Sequence, residues 1–521
     1  MHLSKLDAPP AMTAREGPAN TDGPSAAPAG GAARPGLGAV AARGTLWSVA
    51  EVITSKALSL GAQWGLSWLI TEGEMGLANL AANAAALFFL ANPVAVSDLL
   101  VARSARFRHW VRAGTLLSFA AGVLSFLVLL VLGPLLGWTY GEAKAGTPLA
   151  FTVLLGVAAV RYLGDTCAAV PQTQLRLAYR FRTISAVQVC VNVVLAAASL
   201  GLAWAGAGAY AIVGGASAAA LFRAVTLWSL SGLRAEDMRR SPPARLLLGG
   251  LGSLTASQYL NTLAFTGGTL ILGLFRDESQ VGLYAFAFNL SYQVNVLLSY
   301  NLSVVLQPVF ASLQGQTQRQ ADAFVRATGV ITSVAVPLCL LQGALAEPLL
   351  RAAFKPNWMA SLQELVILSG AQALAIAAGP CLALIKAQRR FGVFLRLQAW
   401  QTAAYVVALF ILCPLAGGDG AAWAVVAQFA IFAPVSIVVA LRPAGAGSVR
   451  NVISLMAAPL LPGLPAAALA WWISSLFPHS RGGAAAALVA GGAAGGAACL
   501  GLMALLQRHR LRTIVGALRR R

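Results

Sequence analysis

Long apolar segments separated by short polar ones fill the chain from about Leu46 to about Leu506. A helix needs roughly 20 apolar residues to cross a bilayer core about 30 Å thick. The pattern predicts about fourteen transmembrane helices, at 46–70, 77–97, 113–136, 148–170, 184–204, 207–230, 247–275, 282–306, 326–349, 362–385, 397–415, 420–441, 451–475 and 483–506. Glycine-rich turns separate the fifth helix from the sixth and the eleventh from the twelfth. The chain is therefore predicted to be an all-α integral membrane protein.

The two ends of the chain differ from this pattern. Residues 1–43 are rich in Ala, Pro and Gly and poor in large apolar residues, so they cannot bury enough surface to fold. They also have no apolar stretch of the kind found in a secretory signal peptide. We expect 1–43 to be a disordered cytoplasmic tail and 507–521 to be a basic cytoplasmic tail.

Composition and charge placement strengthen the membrane assignment. The chain is 58% hydrophobic and 10% charged, whereas a soluble domain carries about 25% charged residues. The net charge of +20 does not indicate a nucleic-acid partner, because the basic residues lie in short loops between apolar segments. If the N-terminus is cytoplasmic, 29 of the 37 Lys and Arg residues lie in inside loops and tails, and five lie in outside loops. This asymmetry predicts a multi-pass membrane protein with both termini in the cytoplasm.

The second half of the chain repeats features of the first. Four residues recur at an offset of 206: Gly76, Leu77, Ala81 and Asn83 match Gly282, Leu283, Ala287 and Asn289. Four more recur at an offset of 210: Arg176, Arg180, Phe181 and Gln188 match Lys386, Arg390, Phe391 and Gln398. Six helices per repeat predict two parallel lobes, 44–235 and 245–442, around a central cavity, followed by two further helices within 450–506. The alternative is chance similarity among Gly- and Ala-rich helices.

Two segments resemble a known family. Residues 281–290 (Val-Gly-Leu-Tyr-Ala-Phe-Ala-Phe-Asn-Leu) and 304–313 (Val-Val-Leu-Gln-Pro-Val-Phe-Ala-Ser-Leu) are similar to segments of bacterial oligosaccharide flippases. These belong to the polysaccharide transporter branch of the multidrug/oligosaccharidyl-lipid/polysaccharide exporter superfamily. The resemblance implies two six-helix lobes around a V-shaped cavity, a location in the inner (plasma) membrane, and transport of undecaprenyl-diphosphate-linked glycans from its inner to its outer leaflet. Many members carry an acidic residue in helix seven, where this chain has uncharged residues at 265–270.

Charged residues inside predicted helices are the sharpest candidates for a site, because each costs about 2.5–3.5 kcal/mol at the bilayer centre. Lys56, Arg161 and Arg223 are predicted to bind the diphosphate, and Glu51 and Asp165 to orient these cations or to titrate with protons. Lys56 also shares a helical stripe with Ser59, Gln63 and Ser67. The alternative is that these charges serve structure, with Arg161 paired to Asp165 and Arg223 reaching the cytoplasmic surface.

Uncharged polar side chains are the candidates for contacting the glycan. They are Gln63, Gln258, Tyr259, Asn261, Asn289, Tyr292, Gln293 and Asn295. Hydrogen bonds between helices are the alternative role for each of them. Glu347 and Arg351 are predicted to form a surface pair at the outer end of the ninth helix.

The function predicted from these observations is translocation of a lipid-linked oligosaccharide, by alternating access, for cell-surface or exopolysaccharide biosynthesis. The partners are then membrane lipid, a coupling proton or sodium ion, and neighbouring glycosyltransferases and a polysaccharide polymerase. The alternatives are a peptidoglycan lipid-precursor flippase and a multidrug exporter, and the excess of basic over acidic residues within the helices favours an anionic substrate over an organic cation. An enzyme such as a polymerase or ligase is disfavoured, because the outside loops are short and catalytic motifs are lacking. No cofactor or metal is predicted, and the six cysteines lie in apolar segments without metal-binding spacing.

Overall fold

A computed structural model describes residues 37–89, 96–97, 100, 107–141, 148–178, 180–233, 245–445, 447 and 449–506. The chain separates into two compact units, Met1–Thr45 and Leu46–Arg521. The first is described only over its last residues, which begin the first helix, so the account below concerns the second. Residues 1–36 of the predicted tail 1–43, the predicted tail 507–521 and the loop at 234–244 lie outside the described residues, and residues 37–43 belong to the first helix.

All regular elements of the described residues are helical, which confirms the predicted fold class. In the first half they are α1 (Leu37–Leu69), α2 (Glu72–Phe88), α3 (Phe107–Gly141), α4 (Pro148–Leu177), α5 (Phe181–Trp204) and α6 (Ala209–Ser231). Helix α1 begins at Leu37, before the predicted start at 46. A helix satisfies its own backbone hydrogen bonds, which is the requirement for crossing hydrocarbon.

The second half contains more breaks than predicted. Its helices are α7 (Arg245–Phe275), α8 (Glu278–Asn295), α9 (Asn301–Ser312), α10 (Thr317–Ala344), α11 (Ala346–Ala353), α12 (Leu362–Ala375), α13 (Ala378–Ala387), α14 (Phe391–Leu441), α15 (Val449–Met456), α16 (Leu460–Ser475) and α17 (Arg481–Leu506). A π-helical turn, Val296–Tyr300, joins α8 to α9, and 3-10 turns cover Pro356–Ser361 and Arg442–Ala444. The segment α14 contains two helices that meet at Gly417.

The break between α12 and α13 has a clear cause. Pro380 lacks an amide hydrogen and its ring crowds the carbonyl of Ile376, four residues earlier, so the helix cannot continue smoothly. The hydroxyl of Ser299 donates to this freed carbonyl oxygen at 2.8 Å. The π-helical turn that carries Ser299 and the break at Ile376 therefore stabilise each other in the second lobe.

The outer surface of the helices is suited to lipid. Within the described residues, ten helices are long and apolar enough to cross a membrane. On α3 the side chains of Leu116, Leu127 and Val131 are all more than half exposed, and Val131 reaches 78%. Exposed apolar side chains in such number are expected on a surface covered by lipid. The protein is therefore a multi-pass membrane protein, and the count of fourteen spans stays a prediction.

The predicted repeat is visible where α2 crosses α8. Gly76 of α2 lies against the backbone carbonyl of Glu278, and Gly282 of α8 lies against the carbonyl of Glu72. The contact is reciprocal, and both pairs of equivalent residues keep the offset of 206 found in the sequence. Two equivalent helices, one from each lobe, thus meet around a pseudo-twofold axis.

The turns before α6 and inside α14 repeat the same backbone conformation. Gly208 has φ 55° and ψ −128°, and Gly417 has φ 58° and ψ −129°. An amino acid with a side chain rarely adopts this conformation. Each turn also lies against a side chain at an equivalent position of the repeat. A Cβ added at Gly208 would lie 2.6 Å from Glu74 Oε1, and a Cβ added at Gly417 would lie 2.6 Å from Gln280 Oε1. The two lobes therefore have the same turn conformation and similar contacts at these equivalent positions.

The loops predicted to lie outside gather at one end of the helices. There, Trp64 and Trp68 of α1 both donate indole hydrogen bonds to the carbonyl of Ala353, at 2.6 and 3.1 Å. Trp358, which is fully buried, donates to the carbonyl of Ser67 at 2.9 Å. These three bonds join α1 of the first lobe to segment 353–358 of the second, and we call them the tryptophan clasp.

Loops predicted to lie inside meet at the opposite end. Gln314 donates to the carbonyl of Ala387, and Gln388 donates to that of Ala440. The alternation of loops between two ends follows the sequence prediction. The predicted surface pair also forms, with Arg351 and Glu347 joined at 2.8 Å.

Candidate functional site

Lys56 connects the two lobes in the middle of α1. Its Nζ donates a 2.9 Å hydrogen bond to Oε1 of Gln293 on α8. The amide nitrogen of Gln293 donates in turn to the carbonyl of Asn289, one helical turn earlier, which fixes the amide with its oxygen toward Lys56. In the described part of the chain, no carboxylate lies within 4.0 Å of Lys56 Nζ. An ammonium group is thus held at the junction of the lobes by an uncharged partner.

Ser55 links α1 to α5. Asn192 donates to the hydroxyl of Ser55 at 2.6 Å, and Ser55 donates to Glu51 Oε1 at 3.3 Å. Glu51 therefore belongs to a chain of hydrogen bonds within the first lobe, and its predicted role beside Lys56 stays a prediction. Gln63 is half-buried, and its amide nitrogen has no hydrogen-bond partner among the described residues.

Two cations share one carboxylate between α4 and α6. Arg223 NH1 lies 3.3 Å from Asp165 Oδ1, and Arg161 Nε lies 3.8 Å from Asp165 Oδ2. The Arg161 side chain is 45% exposed, compared with 15% for Asp165. The predicted Arg161–Asp165 pair is present, but one carboxylate cannot neutralise two guanidinium groups. The cluster of Arg161, Arg223 and Asp165 therefore keeps a net positive charge. We call its two guanidinium groups the arginine pair.

A polar cavity of about 310 Å³ lies within the second lobe. Helices α7, α8, α9, α12, α13 and α14 surround it. Its polar lining residues are Ser257, Gln258, Asn261, Tyr292, Asn295, Ser299, Ser303, Gln307, Lys386 and Gln398. We call it the C-lobe cavity. Four of the side chains predicted to contact a glycan line it together: Gln258, Asn261, Tyr292 and Asn295.

The other candidates occupy different positions. The hydroxyl of Tyr259 donates to the backbone carbonyl of Phe89 at 2.6 Å, so this side chain ties α7 to the end of α2. Gln293 faces Lys56 and Asn289 is exposed, and neither lines the cavity. The structure thus separates the predicted glycan contacts into a group inside the C-lobe cavity and a group at the lobe junction.

Apart from Asn295, sequence reasoning missed one wall of the cavity. Asn295, Ser299, Ser303 and Gln307 follow one another at intervals of four residues along the broken helix α8–α9. Asn295 donates to Gln372 at 2.9 Å, and Ser303 donates to the carbonyl of Ser299 at 2.6 Å. The four-residue polar spacing was the available signal, because such a row lies on one helical face.

Lys386 was also missed, because it was counted with the basic residues of an inside loop. It belongs to α13, lines the C-lobe cavity, and places its ammonium group 4.6 Å from the ring centroid of Phe394. Phe394 lies in the next helix and is itself buried. Lys386 and Arg390, each included in the sequence repeat, therefore have different surroundings, since Arg390 donates to the carbonyl of Val439.

Comparisons with known proteins agree with this fold. The sequence model of the family described as "Polysaccharide biosynthesis protein" matches residues 66–363. The lipopolysaccharide biosynthesis protein WzxC of Escherichia coli strain K12 is 22% identical over 218 residues, which are 42% of this chain and 44% of that protein. The match therefore spans less than half the length of this relative.

Solved structures extend the likeness over most of the chain. The lipid II flippase MurJ in an inward closed conformation superposes with a TM-score of 0.67 at 11% identity, covering 90% of this chain and all of that one. An inward-facing multidrug resistance MATE family transporter of the MOP superfamily superposes with a TM-score of 0.54 at 15% identity, covering 77% of this chain and 95% of that one. At these identities the likeness shows the fold. The chain shares the fold of these two transporters, and it belongs to the polysaccharide biosynthesis protein family, whose sequence model matches more than half of it.

Proposed function

We propose that the protein moves an undecaprenyl-diphosphate-linked oligosaccharide across the inner membrane by alternating access of its two lobes. The observation that carries the proposal is the ammonium group of Lys56, held by Gln293 at the junction of the lobes. A cation in low-dielectric surroundings attracts an anion more strongly than it would in water. A diphosphate between the lobes would replace the Gln293 oxygen as the partner of Lys56, so substrate binding and lobe movement would be linked.

The division of polar groups between the lobes supports a substrate with two chemical parts. In the first lobe, Lys56 and the arginine pair supply positive charge for the diphosphate, with Asp165 and Glu51 as orienting groups. Arginine suits a phosphate because its guanidinium forms two parallel hydrogen bonds. In the second lobe, the amides and hydroxyls of the C-lobe cavity suit the hydroxyl groups of a sugar. Gln63, Tyr259, Asn289 and Gln293 complete the path proposed between the two regions.

A multidrug exporter would need groups that attract organic cations. The positive charges of Lys56 and of the arginine pair repel such a substrate. A peptidoglycan lipid precursor shares the polyprenyl diphosphate with the proposed substrate. It therefore serves as a comparison substrate in the experiments below.

Replacement of Lys56 tests the proposal in cells that depend on this protein for surface glycan. Lys56→Met removes the charge and keeps the length of the side chain, and it is expected to reduce glycan display at least about tenfold, since a hydrogen bond to a charged group contributes about 1.5–3 kcal/mol. Lys56→Arg should retain most of the display. The matched control Arg319→Gln removes a charge from an exposed side chain in the first turn of α10 and should leave display unchanged.

Display is measured by labelling the surface glycan, and the amount of protein in the membrane fraction is measured alongside. Normal display by Lys56→Met at normal protein levels would contradict the assignment of Lys56 to the diphosphate.

A further inference from the structure

We infer that Arg481, the first residue of α17, stabilises the closed state of the end of the molecule that carries the tryptophan clasp. Through this side chain, the two helices that follow the predicted lobes, α16 and α17, take part in gating. The inference rests on the proposed function, because a gate is needed only if the two lobes separate. It adds a positioning residue and a role for a helix pair outside the two lobes.

Arg481 contacts both halves of the tryptophan clasp. Its guanidinium carbon lies 4.4 Å from the ring centroid of Trp68, within the distance of a cation–π interaction. Its Nη2 atom donates a 3.4 Å hydrogen bond to the carbonyl of Phe354. Trp68 is a donor of the clasp in the first lobe, and Phe354 follows the acceptor Ala353 in the second. One side chain therefore bridges the contact between the lobes.

Helix α17 is fixed to the second lobe. A Cβ added at Gly491 would lie 2.9 Å from both the carbonyl oxygen of Ala470 and the side chain of Leu345. A Cβ added at Gly495 would lie 2.5 Å from the side chain of Leu341. Ala470 belongs to α16, and the two leucines lie at the end of α10, where all three are buried in one apolar cluster. Such close packing means that the start of α17 moves with the second lobe.

The segment that accepts the bonds of the clasp is also held in the second lobe. The ring of Phe354 packs edge-on against that of Phe286 on α8, with 5.0 Å between the centroids. Phe286 in turn stacks on Trp358 at 4.5 Å, and all three rings are buried. Segment 353–358 therefore stays with α8 when the lobes separate, and the bonds that it receives from α1 must break.

The two contacts of Arg481 differ in what happens to them on opening. The hydrogen bond to Phe354 lies on the side of the second lobe, so it persists and directs the guanidinium toward the first lobe. The contact with Trp68 crosses between the lobes, so it is lost. A contact made in only one of two states shifts the equilibrium toward that state. At an exposed position, a cation–π contact favours the closed state by about two- to fivefold.

The place of Arg481 in the chain is unfavourable without these contacts. The helix dipole repels a cation at the N-terminus of a helix, and the first turn of α17 has the sequence Arg-Gly-Gly-Ala, without a carboxylate to offset the repulsion. Arg481 is also one of the five basic residues in predicted outside loops, where few are expected. Its contacts with Trp68 and Phe354 provide a physical reason for a basic residue at this point.

The reaction of a buried cysteine with a maleimide measures opening of this end. Ser67→Cys supplies the reporter, because Ser67 is 1% exposed and its carbonyl accepts the clasp bond from Trp358. The variant is made in the full-length protein, otherwise free of cysteine, in lipid nanodiscs without substrate. When labelling is slower than reclosing, its rate is proportional to the population of the open state.

The inference predicts a dependence on both partners of the contact. Arg481→Gln should raise the labelling rate at position 67 by about two- to fivefold, because the contact with Trp68 is lost. Arg481→Lys keeps a cation and should raise the rate less. In a Trp68→Leu background the partner ring is already absent, so Arg481→Gln should raise the rate no further than Trp68→Leu does alone.

Two controls separate this contact from general loosening and from general effects of charge. The native Cys381, kept as the single cysteine, is fully buried on α13, and Arg481→Gln should leave its labelling rate unchanged. Arg351→Gln removes a cation that pairs with Glu347 at the same end of the molecule, and it should leave labelling at position 67 unchanged.

Three results would overturn the inference. They are unchanged labelling at position 67 in Arg481→Gln, an equal increase with and without Trp68, and an equal increase at Cys381. Each would leave the proposed function standing, because no substrate takes part in the measurement. A cysteine at position 67 that reacts in none of the variants would mean that this end never opens, which contradicts alternating access and with it the proposed function.

Discussion

At the scale of single residues, the types and positions of charged side chains could be predicted from the sequence, but their partners could not. Lys56 stands out because charge inside an apolar segment is costly. Its partner Gln293 is 237 positions away, and only the packing of α1 against α8 brings the two together. Lys386 was missed for the opposite reason, since a basic residue near a helix end is typical of an inside loop.

Arg161 gives the first prediction at this scale. Because its guanidinium is half-exposed and lies 3.8 Å from a carboxylate that Arg223 approaches more closely, it contributes little to the stability of the arginine pair. Arg161→Ala should therefore leave thermal unfolding in detergent nearly unchanged. Because the substitution removes a proposed phosphate ligand, it should lower delivery of lipid-linked glycan to the outer leaflet at least about tenfold. Normal glycan display by this variant would argue against Arg161 as a phosphate ligand.

At the scale of helices, the sequence predicted which segments cross the membrane but not where they break. The apolar segments 282–306 and 362–385 read as single helices, whereas the structure divides them at Val296–Tyr300 and after Ala375. The cause is a tertiary contact. Pro380 cannot donate to the carbonyl of Ile376, and the hydroxyl of Ser299 in the π-helical turn donates to it instead. Breaks of this kind are tolerated within a membrane where neighbouring helices supply the missing bonds.

The crossing of α2 and α8 supports a prediction about stability. Gly76→Ala would place a methyl group against the carbonyl of Glu278, and Gly282→Ala would do the same against that of Glu72. Each substitution should lower the free energy of unfolding by about 1–3 kcal/mol, because backbone cannot move aside without separating the helices. Thermal unfolding in detergent measures the effect.

Gly201→Ala is the matched control, since this helical glycine of α5 has no atom within 4 Å of an added Cβ. It should be neutral or slightly stabilising, because alanine favours a helix over glycine by up to about 1 kcal/mol. Equal losses of stability in all three variants would mean that the crossing is not tightly packed.

At the scale of the whole molecule, the sequence repeat and the charge asymmetry predicted two equivalent lobes and loops that alternate between two ends. The reciprocal glycine contacts and the matching turns at Gly208 and Gly417 occur at equivalent positions of this predicted repeat. The tryptophan clasp was not predictable, because it joins α1 to a segment almost 300 positions later. Alternating access requires the bonds of this clasp to break when the lobes separate at that end.

Orientation in the membrane can be tested with two isosteric substitutions in a cysteine-free background. Ser279→Cys and Ser312→Cys replace exposed residues at opposite ends of α8–α9. A membrane-impermeant maleimide should label Cys at 279 in intact spheroplasts, and Cys at 312 only after permeabilisation, because the positive loops face the cytoplasm. The reverse pattern would place both termini outside.

The most direct measurement is translocation by purified protein in proteoliposomes. Translocation is monitored through the accessibility of the headgroup of a labelled lipid to an external reagent. The account predicts that the wild type moves a polyprenyl-diphosphate oligosaccharide, and moves it faster than a peptidoglycan lipid precursor, while Lys56→Met in the same membranes moves neither above the protein-free background. Equal rates for wild type and Lys56→Met, or export of an organic cation without movement of the glycolipid, would contradict it.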